Sequence, residues 1–545
     1  MGPDKAGLSN YLASIKRLNK ALGDMRASNL RSTQQTVTEL QRLVKSGSTQ
    51  LENSFDKLLR NETPRSIEPL HFITKNKTFP TLSQEKITRL GLINEYVAGV
   101  YKRQSGGSGS SESPVAKIYA EIRSQYLSST LVNLAAASSN TAKKKNPDAI
   151  YRAGTNGIGT YAQAMEGLFL AEYENICSIF TRDDWGPVFQ ATCQPSLLEL
   201  GRTLRELNGH IKTHMNTDCC LAYEIVEIVS SLSNNLESRT GELKSALAGF
   251  LKPVRETAKS SLAELLEDTK RRVSGLQTIS ADGAPVPVVS ETMQRLQSMV
   301  DFLRPISSIM ISLGDGGWKS AAVSTRGIGG DAIPSLASFD IGADGKEIFA
   351  HYCVDTIEAL MTSLEARARV LLQQRKPAIG VFLANSVAIV ERMIRDSDLA
   401  PLLDTRRSPV LDTWRKKATS LYTETCKDLS VHLFDVIHTS RGQRPASGQG
   451  TIDSSAILKG LTSKDKEAIK AKFAAFNASF DDMVVRHRQY NMEREVRQAF
   501  AKDVQNMIEP LYNRFWDRYH EVDKGKGKYV KYDKQAIGAV FLSLY

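Results

Sequence analysis

VRQAFAKDVQNMIEPLYNRFWDRY (496–519) places Val496, Phe500, Val504, Met507, Ile508, Leu511, Phe515 and Tyr519 three or four residues apart. At 3.6 residues per turn, that spacing gathers the apolar side chains on one face of a helix and leaves the other face to charge. Just upstream, Phe473, Phe476, Phe480, Met483 and Val484 share a second such face. Working back along the chain, the same period returns over 414–434 and from Lys346 to Ile394. It returns again in Met293, Leu296, Met299, Val300, Leu303 and Ile306, and over 243–266, 222–236, 196–207, 159–180 and 116–137. From Ser83 towards Tyr101 the apolar face is Leu90, Leu92, Ile93 and Val97. No stretch of five or more residues alternates apolar and polar between paired turns. The pattern predicts an all-α protein, an elongated rod of stacked antiparallel helical bundles.

Proline and glycine punctuate it. Thr63-Pro64 ends the first helical segment, because proline disfavours helix in the residue before it. Ser105–Ser113 (SGGSGSSES) reads as a flexible linker. Residues 281–287 (ADGAPVP) form a break, the glycine-rich stretch 314–345 a long loop, and 440–450 a second loop. These marks divide the chain into residues 1–62, 63–280, 281–420 and 421–545, in keeping with a length of 545 residues.

The N-terminal segment carries a narrower stripe. Leu8, Tyr11, Ile15, Leu18, Leu22 and Met25 step by three and four. Leu30, Val37, Val44, Leu51 and Leu58 then step by sevens, with Leu40 and Phe55 partly filling the second seam position. Such a seam suits a coiled coil. Leu8, Ile15, Leu22, Leu30, Val37, Val44, Leu51 and Leu58 are therefore expected to pair with helices of other proteins, the alternative being a fold back onto the chain's own body.

The composition excludes more than it assigns. Six cysteines, none in a CxxC pair, argue against a disulfide framework or a zinc cluster. No run approaches the length of about 18 apolar residues that would cross a bilayer, and MGPDKAGLS lacks a signal core. His210 and His214 are four apart, but no Glu follows His210, so the metalloprotease base is missing. The glycine clusters at 154–159 and 327–330 lack the Lys-Ser/Thr of a phosphate loop, and there is no GxSxG elbow. No catalytic residue, metal site or cofactor is expected.

What remains is positive charge: 71 basic against 60 acidic residues, net +11. Lys524, Lys526, Lys528, Lys531 and Lys534 crowd near the C-terminus, interleaved with Tyr529 and Tyr532. Lys464, Lys466, Lys470 and Lys472 form a second group, diluted by Asp465 and Glu467. Arg415-Lys416-Lys417 near Arg406-Arg407, and Arg367, Arg369, Arg375 and Lys376, form two more. Anionic lipid attracts each nearby cation by ~1 kcal/mol, enough for reversible docking. The alternative is a basic helical scaffold that binds nucleic acid, marked by steep salt dependence.

The C-terminal residues also resemble a known family. Lys526-Gly-Lys-Tyr-Val-Lys-Tyr532, with Ile537, Val540, Phe541 and Leu544 after it, resembles the end of the seventy-kilodalton subunit family of the exocyst tethering complex. Ile469–Phe480 is similar to that family's motif with a Phe-x-x-Phe-Asn core. Ile379-Gly-Val-Phe-Leu-Ala-Asn385 is similar to its Phe-Leu-x-Asn-Asn helix, with Ser386 at the second Asn. Leu51–Arg60 and Ile67–His71 resemble fungal members. The resemblance implies a non-catalytic tether of secretory vesicles in exocytosis. It would be cytoplasmic and peripheral at the plasma membrane at sites of polarised secretion: bud, bud neck or hyphal tip in a fungus. It implies other exocyst subunits, Rho-family GTPases and a phosphatidylinositol 4,5-bisphosphate membrane as partners, with no nucleic acid. Lys528 and Lys531 fall on the lipid-binding lysines of the Lys-Tyr-x-Lys-Tyr motif. Lys524, Lys526, Lys470 and Lys472 join them on charge.

Overall fold

The computed structural model describes residues 3–28, 34–104, 113–142, 149–319, 344–403, 407–434 and 454–545. Leu30, residues 105–112, 143–148 and 320–343, Arg406 and the 440–450 loop lie outside them. Every regular element among the described residues is helical. The principal helices are α1 (Leu8–Ser28), α2 (Gln34–Glu62), α3 (Gln84–Gln104), α4 (Pro114–Thr141), α5 (Ile158–Ile179), α6 (Trp185–Thr213), α7 (Met215–Thr240) and α8 (Lys244–Ser274). They continue with α9 (Pro287–Val300), α10 (Leu303–Leu313), α11 (Gly345–Leu371), α12 (Lys376–Arg395), α13 (Arg407–Val431), α14 (Ser463–Gln489), α15 (Arg494–Tyr519) and α16 (Lys534–Leu542). The chain divides into two compact units, Met1–Ser261 and Leu262–Tyr545, with the boundary inside α8.

In the first unit, α1 folds antiparallel onto α2, with the Tyr11 hydroxyl donating to Gln50 Oε1 at 2.9 Å. Ile15 packs where Gly47 offers no Cβ. α2 in turn lies against α3 and α4. Leu51, Phe55 and Leu59 are fully buried there. The stripe of α2 is thus wider than a coiled-coil seam, and a wide stripe buries against a body. Deeper in, α4 packs on α6 and α5 on α7. Arg123 of α4 and Glu172 of α5, both almost wholly buried, pair at 2.6 Å. Tyr119 donates to Glu172 Oε1 at 2.5 Å and Arg123 reaches Thr63 Oγ1 at 3.2 Å, so the end of α2 joins the network.

α6 is longer than the 196–207 expected from the sequence, running through Pro195. A helix-interior proline costs ~3 kcal/mol. Burial of Val188, Phe189, Cys193 and Leu197 around it outweighs that, at roughly 1.5–3 kcal/mol for each large apolar side chain.

In the second unit, α12 is the central helix, against α9, α11, α13 and α15. By length and composition it could cross a membrane, an exception to the expectation from the sequence. Here its apolar residues form the core, with Ile379, Val381, Phe382, Leu383 and Val390 fully buried. Gly380 lets α13 approach: a Cβ there would lie 2.7 Å from the Ala418 carbonyl oxygen and 2.8 Å from Tyr422 N. The Lys346–Ile394 pattern is broken at 372–375, where Gln373 and Gln374 take φ of +50° and +62° ahead of Pro377. The 414–434 pattern begins earlier than read, at Arg407.

Side chain to backbone bonds place the connections. Asn385, fully buried on α12, donates to the carbonyls of Gly283 and Asn491, both at 2.8 Å, and accepts from Glu493 N at 2.9 Å. One side chain thus holds both the turn before α9 and the α14–α15 junction. Gly314–Lys319, the start of the stretch read as a long loop, is pinned to α11. Trp318 Nε1 and Lys319 Nζ reach Asp355 Oδ2 at 2.9 and 3.0 Å, and His351 Nδ1 lies 2.6 Å from Asp315.

Candidate membrane-facing site at the C-terminal end

α15 ends at Tyr519, and a short turn (His520–Asp523) leads into Lys524 with φ +51°. Gly525 and Gly527 supply positive φ at +71° and +65°, where glycine carries no Cβ penalty. The buried Asp523 carboxylate accepts from Tyr529 N and Val530 N at 3.0 and 3.4 Å. Asn477 donates to the Tyr529 carbonyl at 2.8 Å, and the Tyr512 hydroxyl to the Tyr532 carbonyl at 2.7 Å. Asp533 then caps α16 through Ala536 N at 2.6 Å. Residues 524–528 therefore project from two clamped ends.

The Phe-x-x-Phe-Asn and Lys-Tyr-x-Lys-Tyr stretches, about fifty residues apart, meet here. Phe476 stacks on Tyr512, and Phe480 meets Tyr532 and Phe541 edge-on at 5.6 and 5.3 Å between centroids. The end of the chain is held by His487 of α14. Its Nε2 lies 3.1 Å from the Leu544 carbonyl, which can only accept, so that nitrogen carries the proton. Nδ1 then accepts from the Tyr422 hydroxyl at 2.5 Å.

Burial pushes the His487 pKa down to about 4 from 6.5. In the unfolded chain this imidazole protonates first, so its contribution to stability is present above about 6.5 and is lost as pH falls towards about 4. An NMR titration of the His487 ring carbons is expected to show a neutral imidazole through this window. A midpoint at the ordinary histidine value would contradict the buried, neutral assignment.

The lysines named from the sequence separate into two groups. Lys524, Lys526 and Lys528 are exposed, and none forms an ion pair with an acidic side chain among the described residues. Lys528 Nζ lies 5.3 Å from the centroid of Tyr529. Lys470 Nζ approaches the same ring at 5.6 Å, which brings the two basic groups together over one aromatic floor. Four others are engaged. Lys531 pairs with Asp481 at 2.5 Å, Lys534 with Asp517 at 2.5 Å and Lys470 with Glu467 at 3.2 Å. Lys472 donates to the Phe434 carbonyl at 2.5 Å. The hydrogen bond to Asp481 raises the Lys531 pKa. Of the acids that dilute the second group, Asp465 is committed to the capping box of α14 with Thr462. Asp481 is not marked in the sequence, because nothing local shows an acid as facing a lysine fifty positions away.

The other candidates are dispersed. Lys417 and Arg369 both bind Glu365, Lys376 binds Glu424, and Arg415 binds Glu391 and Asp412. Arg367 donates to the Leu276 carbonyl at 2.8 Å. His210 and His214 stack at 4.4 Å, but α6 ends between them, and no group of three metal-ligating side chains occurs among the described residues. Of the N-terminal seam, Ile15, Leu22, Val44, Leu51 and Leu58 are buried within the chain, while Leu8 and Val37 stay half-exposed.

An all-helical scaffold ending in a clamped, lysine-bearing loop is the class that this fold and site define. Residues 155–543 match the family model for the C-terminal part of the Exo70 exocyst complex subunit, and residues 1–61 match that for the N-terminal part of exocyst complex component Exo70. The chain belongs to the Exo70 exocyst subunit family. It is 73% identical over 545 residues to the exocyst complex protein exo70 of Neurospora crassa, covering 100% of this chain and 85% of that one. Against the exocyst complex protein EXO70 of Gibberella zeae it is 65% identical over 544 residues, covering 100% and 84%. Its fold is that of the solved Saccharomyces cerevisiae Exo70, at a TM-score of 0.74 and 20% identity, covering 100% of this chain and 95% of the other.

Proposed function

We propose that this chain acts as a non-catalytic exocyst subunit that tethers secretory vesicles to the plasma membrane, docking through its basic C-terminal end on phosphatidylinositol 4,5-bisphosphate. The observation that carries the lipid part is the loop with Lys524, Lys526 and Lys528 exposed and without internal acids, beside Lys470 over Tyr529. At ~1 kcal/mol per cation near an anionic surface, the three give about 3 kcal/mol. That is weak alone and effective when assembly places several such contacts on one particle. Other exocyst subunits are its partners through the N-terminal segment. With much of the seam already buried, Leu8, Val37 and the exposed Leu43 are among the apolar residues left to meet them. Rho-family GTPases are the remaining partner class.

The test is cosedimentation of the chain with phosphatidylcholine vesicles that contain or lack phosphatidylinositol 4,5-bisphosphate. Replacing Lys524, Lys526 and Lys528 together with Ala is expected to weaken binding by about 100-fold, the equivalent of about 3 kcal/mol. Helix content should be unchanged, since all three are exposed. Equal sedimentation of the variant and the parent would refute the assignment. A nucleic-acid shift assay run alongside, at physiological salt, is expected to show no complex.

A further inference from the structure

We propose that Asp481 sets the headgroup selectivity of the basic end by competing, as an internal carboxylate, for Lys531. This deepens the membrane reading above and rests on it. Asp481 on α14 holds two groups at once: Lys531 Nζ on Oδ2 and the Tyr532 hydroxyl on Oδ1, each at 2.5 Å. The pair is half-exposed, with side-chain exposures of 50% for Lys531 and 41% for Asp481, so a surface ligand can reach the ammonium. Lys531 also sits 5.0 Å from the Tyr532 centroid, a position from which it can swing outward.

A lysine with a carboxylate in place gains little from a second singly charged anion. A phosphodiester headgroup such as phosphatidylserine offers no net advantage over Asp481. A phosphomonoester carries about −1.5 to −2 charges and three strong acceptor oxygens, and draws the ammonium away. Lys524, Lys526 and Lys528 have no such competitor and bind any anionic surface. Lys531 thus adds its contact for a polyphosphorylated headgroup alone. Lys534 against Asp517 repeats the arrangement at the start of α16.

The loop does not depend on Asp481 for its position. Asp523, Asn477 and Tyr512 hold its backbone, and Phe480 packs against the Tyr532 ring. Asp481→Asn therefore removes charge while leaving the Tyr532 hydroxyl an acceptor. The experiment is cosedimentation with vesicles of equal total charge, one set carrying phosphatidylserine and the other phosphatidylinositol 4,5-bisphosphate. Parent, Asp481→Asn, Lys531→Ala and the double variant are compared, with circular dichroism to confirm folding. Asp481→Asn is expected to tighten binding to phosphatidylserine by about two- to fivefold, the scale of an exposed ion pair. Binding to the phosphoinositide should change by less than half of that, so selectivity falls. The gain should vanish in the Lys531→Ala background, the coupling a double-mutant cycle isolates.

The same gain without Lys531 would mean bulk charge alone and overturn the proposal, as would an equal gain on both vesicles or no gain. If the parent binds the phosphoinositide and Asp481→Asn changes nothing, only this inference fails. If neither chain binds either vesicle, the membrane reading fails with it.

Discussion

Replacing Asn385 with Leu is expected to destabilise the second unit by about 3 kcal/mol, among the largest effects of any single substitution in it. The side chain is fully buried, similar in size to Leu, and makes three hydrogen bonds to backbone. Leu fills the space but leaves the carbonyls of Gly283 and Asn491 and the N–H of Glu493 without their partner. Each orphaned buried group costs about 1–3 kcal/mol, with water recovering part where the site is half-exposed. The neighbouring turn has little slack: Gly283 has φ +82°, and a Cβ there would meet Val381 Cγ1 at 2.5 Å. Asn491 N also donates to the Asp282 carbonyl at 2.9 Å, so both segments loosen together.

Asp at 385 should be as damaging as Leu. It keeps an acceptor for Glu493 N but turns a carboxylate towards two carbonyl oxygens. Hydrogen exchange on the full chain checks this: protection should drop at 282–286 and 490–494 first. Unchanged protection there in both variants would show that packing alone, and not the amide, holds the two segments.

The second large effect is expected from Arg123→Met. Glu172, 1% exposed, would keep its place and lose its cation. Burial alone disfavours the charged guanidinium, but Glu172 beside it more than reverses this and raises the Arg123 pKa, so the guanidinium stays charged. Removing one member of a buried pair costs about 3–5 kcal/mol because the other charge is left uncompensated. Arg123→Met with Glu172→Leu should recover most of that loss, since an apolar pair of similar volume incurs no ionic desolvation. Urea unfolding of the three chains, followed by circular dichroism, measures the difference. A double variant no better than Arg123→Met would indicate that Tyr119 and Thr63, and not charge balance, carry the network.

The helices were legible because their signal is local. In α15, Val496, Phe500, Val504 and Ile508 repeat with the helix period, and all are buried. The breaks at Pro64, and at 281–287 before α9, were equally readable, since proline acts on its own neighbours. Pro195 shows the limit. Whether a proline ends a helix depends on how much apolar surface the continued helix buries, and that surface belongs to other helices. The N-terminal stripe shows it again. A heptad of Val44, Leu51 and Leu58 states that a face must be covered, not by what; in the fold the cover comes from α1, α3 and α4.

The candidate site divides along the same line. Sequence alone determined that this is a helical, basic chain with a glycine-loosened, lysine-rich end, because helix period and charge are properties of residues and near neighbours. Tertiary structure alone decided which lysines are free. Lys528 and Lys531 are three residues apart and look equivalent, yet only Lys531 faces Asp481. Electrostatic pairing acts through a few ångströms of space, and folding brings residues fifty positions apart within that reach.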